Sequence, residues 1–420
     1  MYKPIKLVDS KIAKLINAET RRQNLQIELV ASENYASEDV LIANGSTLTN
    51  KYGEGYPGKR YYGGCQFIDE IEKIAIERAK NLFGTKFANV QPYSGSSANA
   101  AVFAALLQPG DKILGLDLSS GGHLTHGYKV NFSGIFYQGV SYFLDEEELL
   151  NYDEIEKIAL IERPKLIICG FSAYSRLIDF SRFRQIADKI GAFLLADIAH
   201  IAGLVATKNH PSPVGIADVI TSTTQKTLRG PRGGLILTDN PEIAAKIDKI
   251  VFPGIQGGPL FNVIAGKAVA FHEASQPWFA QYCKQIVQNS AHFAAEFAKK
   301  GVKIVSKGSE NHLFVINVLQ SYGLNGKEAQ VLLETVGIIA NKNTIPRDSL
   351  SPFVTSGLRF GTAAMTSRGF SEREFSFLAD LIDQILRKKK LTKTETKTFS
   401  LQVKKIALEF PIKKSYWPKK

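Results

Sequence analysis

Short apolar runs alternate with longer amphipathic stretches through the middle of the chain. Lys165-Leu166-Ile167-Ile168-Cys169-Gly170-Phe171 and Ala192-Phe193-Leu194-Leu195-Ala196-Asp197 are apolar almost end to end, the pattern of strands buried on both faces. Residues 112–118, 140–144, 217–221 and 234–238 read the same way. Helical patterning fills the gaps at 68–83, 96–107, 152–161 and 180–190. The alternation predicts an α/β fold, a mostly parallel sheet sandwiched by helices. After Ser275-Gln276-Pro277-Trp278 the order changes to a long helix over 279–300, strands near 302–305 and 312–318, and helices over 326–335 and 372–386. That predicts a smaller α+β domain.

Four segments result: an N-terminal arm and inter-subunit loop at 1–60, a large domain at 61–276, a small domain at 277–390 and a basic tail at 391–420. The arm ends in a run rich in glycine and aromatics, Tyr52 to Gly64. Gly53 to Gly58 matches G-x-G-x-x-G, but no buried strand precedes it and Pro57 stands where a helix would start, so it is not read as a nucleotide site.

Charge changes the picture little. The formal net charge is +12. From Arg387 to the end the chain has 12 basic and 2 acidic residues, which leaves the rest nearly neutral. A basic tail binds polyanions weakly, but no recognition module accompanies it, and no nucleic-acid partner is expected. Three widely spaced cysteines argue against a disulfide framework and fit a reducing compartment. No apolar run suits a membrane span and the N-terminus is too polar for a secretory signal, so a cytoplasmic location is expected.

Candidate chemistry gathers where the strands end, as it does in parallel sheets. Ser172, Asp197 and Lys226 follow three successive strands at spacings of 25 and 29 residues. Lys226 lies in Thr223-Thr224-Gln225-Lys226-Thr227 before a Gly/Pro turn. That setting suits a lysine forming an imine with an aldehyde cofactor, and equally a solvated lysine at a strand end. Asp197 suits a helix cap or a partner for a cationic ring nitrogen. Ser94-Gly95-Ser96 opens a helix, where free N–H groups hold a phosphate or a serine simply caps. His123 and His126 share a glycine-rich loop. No third ligand is evident near them, so no metal is expected, and stacking of His123 on a flat cofactor is the functional reading. Arg359, between small and apolar residues, suits a carboxylate or a surface ion pair.

Together these segments resemble the serine hydroxymethyltransferases, fold-type-I enzymes that use pyridoxal 5′-phosphate. The matching runs include Ala31-Ser32-Glu33-Asn34, Tyr52 to Cys65, Gly121 to Gly127, Asp197 to Gly203, Lys226 to Gly234, Phe252 to Pro259 and Asn341 to Pro346. The resemblance implies an aspartate-aminotransferase-like large domain. It also implies reversible transfer of the serine hydroxymethyl group to tetrahydrofolate, giving glycine and 5,10-methylenetetrahydrofolate. Position by position, it implies that Lys226 forms the imine, Asp197 pairs with the ring nitrogen and His123 stacks on the ring. Ser94, Gly95 and Ser96 would hold the phosphate, with Tyr52 and Gly258 arriving from a neighbouring subunit. Ser172, His200 and Gln225 would line the cofactor, and His200 and Thr223 would be catalytic. Ser32 and Arg359 would take the amino-acid carboxylate. Glu54 and Tyr62, again from the neighbour, would handle protons and substrate. Leu118, Gly122, Leu124 and Asn343 would line the folate site. The active unit would be a homodimer at least.

Three positions depart from the family pattern. Gln225 replaces the histidine usual before the lysine, and Tyr93 and Ser97 replace the histidine and glutamine of Gln-Pro-His-Ser-Gly-Ser-Gln. Gln225 cannot titrate. That keeps open a folate-independent aldolase acting on β-hydroxy amino acids. An RNA-binding role for the tail is the reading from outside enzymology.

Overall fold

The computed structural model describes residues 5–412. The chain divides into two compact units, one of residues 38–284 and one joining the N-terminal segment up to 37 with everything from 285 onward. The division falls inside the helix Pro277–Lys299, rather than at the Ser275–Trp278 break.

The first unit is built on seven strands: β1 (Phe87–Asn89), β2 (Lys112–Leu116), β3 (Gln138–Tyr142), β4 (Leu166–Cys169), β5 (Phe193–Asp197), β6 (Val219–Thr223) and β7 (Gly234–Thr238). Their order is β1-β7-β6-β5-β4-β2-β3. All neighbours from β6 to β3 run parallel, while β7 is antiparallel to both β6 and β1. The apolar runs 165–171 and 192–197 form the adjacent strands β4 and β5, and every residue of β4, β6 and β7 is buried. The helix Gly95–Leu106 lays Ala98, Val102 and Phe103 on Ile113, Leu166, Ile168, Leu195, Val219 and Ile236. Burying a side chain such as Phe103 contributes about 2–3 kcal/mol. Because β4, β5 and β6 are adjacent and parallel, the segments following Cys169, Asp197 and Thr223 emerge along one edge. Gly170 makes this closeness possible. Its φ is +111°, and a Cβ there would sit 1.9 Å from the Asp197 carbonyl oxygen, so a side chain is excluded on both grounds.

The second unit has a three-stranded antiparallel sheet of β8 (Leu313–Asn317), β9 (Asn341–Asn343) and β10 (Gly357–Gly361), in the order β8-β10-β9. Ile27–Glu28 pairs in parallel with Ile338–Ile339. Its core is rich in phenylalanine. Phe297 stacks on Phe360 at 5.6 Å, and Phe293 meets Phe314 edge-on at 5.2 Å.

The stretch expected as a basic tail from 391 is instead folded through most of its length. Thr392 and Glu395 form a capping box for the helix Lys393–Glu409, which buries Phe399, Val403, Ile406 and Ala407 in this core. Its lysines occupy the opposite, solvated face. Residues 413–420 of that stretch lie outside the described residues. Arg368 ties residues 23–26 to residues 407–410. Its guanidinium donates to the carbonyls of Gln23 (3.1 Å), Asn24 (3.0 Å) and Gln26 (3.0 Å), and to those of Phe410 (2.6 Å) and Ala407. These carbonyls end the helices Ser10–Leu25 and Lys393–Glu409, where the last C=O groups lack helical partners and favour a cation. Among the described residues, no helix is long and apolar enough to cross a membrane.

Candidate active site

Asp197 closes β5 and is the centre of a hydrogen-bond network. Its Oδ2 accepts from Asn99 Nδ2 at 2.9 Å and from His126 Nε2 at 3.1 Å, and its Oδ1 accepts from the Ala199 amide at 3.1 Å. It does not cap the following short helix, whose N-cap is Ile201. A carboxylate accepts about four hydrogen bonds, so one direction remains. Burial alone would raise its pKa. The hydrogen bond from His126, with the contributions of His123 and Asn99, outweighs burial and holds the carboxyl well below the usual range. Asn99 is itself fixed. Thr221 Oγ1 donates to its Oδ1 at 2.7 Å, and its second Nδ2 hydrogen goes to Thr125 Oγ1 at 2.8 Å. Thr125 Oγ1 then lies 2.7 Å from His123 Nδ1. The Thr125 amide donates to that same Nδ1 at 3.2 Å, so Nδ1 is an acceptor, the Thr125 hydroxyl donates to it, and a neutral His123 carries its proton on Nε2.

The structure thus supplies the third group that the two histidines lacked in the sequence. Donor atoms of His123, His126 and Asp197 lie within 4.8 Å of one another, a grouping that a metal ion also uses. Here the distances are those of hydrogen bonds, and His126 Nδ1 also accepts from the His123 amide at 3.4 Å.

Lys226 is buried just past the end of β6. Its loop is held on both sides. Thr227 Oγ1 donates to the His200 carbonyl and accepts from the Gly203 amide, each at 3.0 Å. Thr224 Oγ1 donates to the Pro231 carbonyl at 2.6 Å, and the Gly230 amide donates to Thr224 O at 2.7 Å. Gln225 Oε1 is buried with no hydrogen-bond partner. Ser172 donates its amide to Gly121 O at 2.8 Å, which sets the His123 loop beside the end of β4. Leu118, Gly122 and Leu124 lie on that same loop.

Ser94 is the N-cap of the helix Gly95–Leu106, accepting from the Ser97 amide at 3.1 Å. The capping reading therefore holds, and it leaves the N–H groups of Gly95 and Ser96 without helical acceptors. Ser94 and Ser96 are exposed. A Cβ on Gly95 would meet Thr223 Cγ2 at 2.7 Å, so the helix start rests directly on the end of β6.

A second group forms around Tyr93. Its hydroxyl donates to Gly258 O at 2.7 Å, and its amide donates to Gln256 Oε1 at 3.1 Å. Tyr52 covers Gly258, donates to Glu54 Oε1 at 3.2 Å and meets Tyr62 edge-on at 5.1 Å. The Glu54 charge raises the pKa of Tyr62. Tyr52, Glu54, Tyr62 and Gly258, the residues expected to reach a neighbouring subunit's site, are thus neighbours within one chain. Arg60 anchors their loop through Asp69 (2.8 Å) and buried Glu72 (2.5 Å).

In the second unit, Arg359 lies on β10, is buried, and donates from Nε to Asn341 Oδ1 at 3.2 Å. Burial lowers its pKa to about 10. Gly361 packs against Ala31, where a Cβ would lie 2.4 Å from Ala31 Cα, so the Ser32 loop runs beside the end of that strand. Asn343 sits on β9 opposite Gly357.

Sequence reasoning missed Asn99, Thr125 and Thr221, and took His126 only as a possible metal ligand. One signal was present: Asn99 is a polar residue inside an otherwise small and apolar helix.

Comparison with known proteins shows the family. A family model described as serine hydroxymethyltransferase matches residues 5–382. A probable serine hydroxymethyltransferase of Mesomycoplasma hyopneumoniae strain 232 is 74% identical over 418 residues, covering 100% of both chains. The serine hydroxymethyltransferase of Metamycoplasma arthritidis is 59% identical over 420 residues, again covering 100% of both. That of Nostoc punctiforme is 59% identical over 379 residues, covering 90% of this chain and 88% of its own. With the match running nearly end to end, the chain belongs to the serine hydroxymethyltransferase family.

Proposed function

We propose that this chain carries out its family's reaction, serine plus tetrahydrofolate giving glycine, 5,10-methylenetetrahydrofolate and water, around Asp197 and Lys226. The observation that carries the assignment is the largely enclosed, ionised Asp197 at a strand end, with one acceptor direction left. The residues fit pyridoxal 5′-phosphate. Asp197 suits a ring N–H, the exposed start of the helix Gly95–Leu106 suits a phosphate, and Gln225 Oε1 is a buried acceptor with no protein donor. When bound, the cofactor supplies an electron sink for the pair released at the amino-acid α-carbon.

The chain's own groups do the rest. Asp197 holds the ring proton. Lys226 would supply the amine for the cofactor's aldehyde. Ser94, Gly95 and Ser96 bind the phosphate, and Thr223, Ser172, His200 and His123 orient the ring. Arg359 and Ser32 bind the amino-acid carboxylate, Glu54 and Tyr62 move protons, and Leu118, Gly122, Leu124 and Asn343 bind the folate. Tyr52, Tyr61, Tyr62 and Phe67 are exposed, an aromatic patch of the kind that a second copy covers. We therefore assign a homodimer. Three buried free thiols fit the cytoplasm.

The test is a cofactor titration of wild-type protein and Lys226→Ala, followed by absorbance, with serine turnover assayed with and without tetrahydrofolate. Loss of the bound-cofactor band in the variant and folate-dependent turnover are expected. An unchanged spectrum in Lys226→Ala would refute the lysine assignment. Turnover indifferent to folate would favour the aldolase reading.

A further inference from the structure

Lys267 lies on the helix Phe261–Ala274 and is 1% exposed. Its Nζ donates to three backbone carbonyls: Val90 at 2.7 Å, Gly234 at 2.8 Å and Pro92 at 3.1 Å. Three acceptors match the three protons of an ammonium; a neutral amine has two. No ion pair forms on it among the described residues. Burial lowers its pKa to about 7, with Glu72 opposing, and the carbonyl dipoles favour the charged form. The carbonyls come from the two segments that meet at the start of the helix Gly95–Leu106. Val90 and Pro92 lead into Ser94, and Gly234 opens β7. These segments touch. The Gly234 amide donates to Pro92 O at 2.9 Å, and a Cβ on Gly234 would lie 2.3 Å from Ser94 O.

We propose that Lys267 is a positioning residue for the phosphate cradle, holding the 90–94 and 233–234 segments together while leaving an unneutralised positive charge behind the Ser94–Ser96 turn. A buried charge with no carboxylate partner is costly unless something offsets it. The carbonyls do so in part, and an anion at the helix start does the rest. This rests on the assignment of Ser94, Gly95 and Ser96 to phosphate. It predicts a role specific to the phosphate rather than to the ring.

The experiment compares pyridoxal 5′-phosphate with pyridoxal, which lacks the phosphate, as ligands of the apoprotein. Both are titrated into wild type and Lys267→Met, with affinity read by equilibrium dialysis and folding by circular dichroism. The expected result is a loss of about tenfold or more for the phosphorylated ligand, on the scale of a charge-assisted hydrogen-bonding group, with pyridoxal affinity nearly unchanged. An unaltered ratio of the two affinities overturns the proposal. Should Lys267→Met not fold, Gly233→Ala serves instead. Its methyl group would lie 2.4 Å from Lys267 Cε and displace the ammonium without removing its charge. The same selective loss supports the proposal, and an unaltered ratio overturns it. If wild type itself shows no preference for the phosphorylated ligand, the Ser94–Ser96 assignment fails and takes the proposal with it.

Discussion

Asn99 Nδ2 lies 2.9 Å from Asp197 Oδ2, across 98 positions of sequence. One amide thereby fixes the carboxylate and, through Thr125, the His123 ring. Asn99→Ala is expected to weaken pyridoxal 5′-phosphate binding roughly tenfold, the value of one hydrogen bond to a charged group. Asn99→Asp is expected to do worse, by roughly a hundredfold, because a second carboxylate forces a proton onto the pair. Equilibrium dialysis of both variants gives the ranking, and equal affinities would contradict it.

Gln225 is where the apoprotein and the cofactor make opposite demands. Its Oε1 is buried without a partner, which costs about 1–3 kcal/mol. Gln225→Leu is therefore expected to raise the melting temperature of the apoprotein while weakening cofactor binding. Differential scanning calorimetry with and without pyridoxal 5′-phosphate separates the two effects. A variant that melts lower in the apo form would show that the orphan oxygen is not a burden.

Glu28 gives a pH dependence with a definite sign. Burial first, then the nearby Glu33, raises its pKa from 4.5 to about 8, against the Arg22 guanidinium at 3.8 Å. The unfolded chain releases this proton near 4.5 and the folded chain holds it to about 8. Over that window the folded state binds more protons, so its stability falls as pH rises. Glu28→Gln keeps an acceptor for the Val30 amide, which now bonds Glu28 Oε1 at 3.1 Å, and removes the titration. Its advantage over wild type should be small at pH 5 and grow to on the order of 2 kcal/mol by pH 8. Urea denaturation at both pH values tests this, and a constant difference would be inconsistent with it.

Arg368→Met leaves five backbone carbonyls without their shared donor. A loss of about 3 kcal/mol or more is expected. Removing residues from 393 onward exposes the surface now covered by Phe399, Val403 and Ile406, and should be at least as damaging. Chemical denaturation curves give both values. If the truncated chain matched wild type, the helix Lys393–Glu409 would be an appendage after all.

The sheet was legible because buried parallel strands are written as unbroken apolar runs, and Asp197 and Lys226 stood out as polar groups where such runs stop. Asn99 did not, since a lone amide in a helix has no sequence mark of what it faces. The helix Lys393–Glu409 was hidden by its lysines. Thr392 with Glu395 is a capping box, and Phe399, Val403, Ile406 and Ala407 recur at helical spacing, but charge drew the eye to solvent. The pairing of Ile27–Glu28 with Ile338–Ile339 could not be seen at all, because two-residue strands leave no periodicity to read.

A growing chain presents residues 23–26 to solvent long before Ala407 and Phe410 are made. The acceptors that Arg368 gathers therefore never coexist during translation until residue 410 has been added. Residues 38–284 are contiguous and can complete their sheet earlier, since domains fold as units during synthesis. Biogenesis thus has a built-in order, in which residues 38–284 mature while residues 23–26 wait for the segment that Arg368 fastens to them.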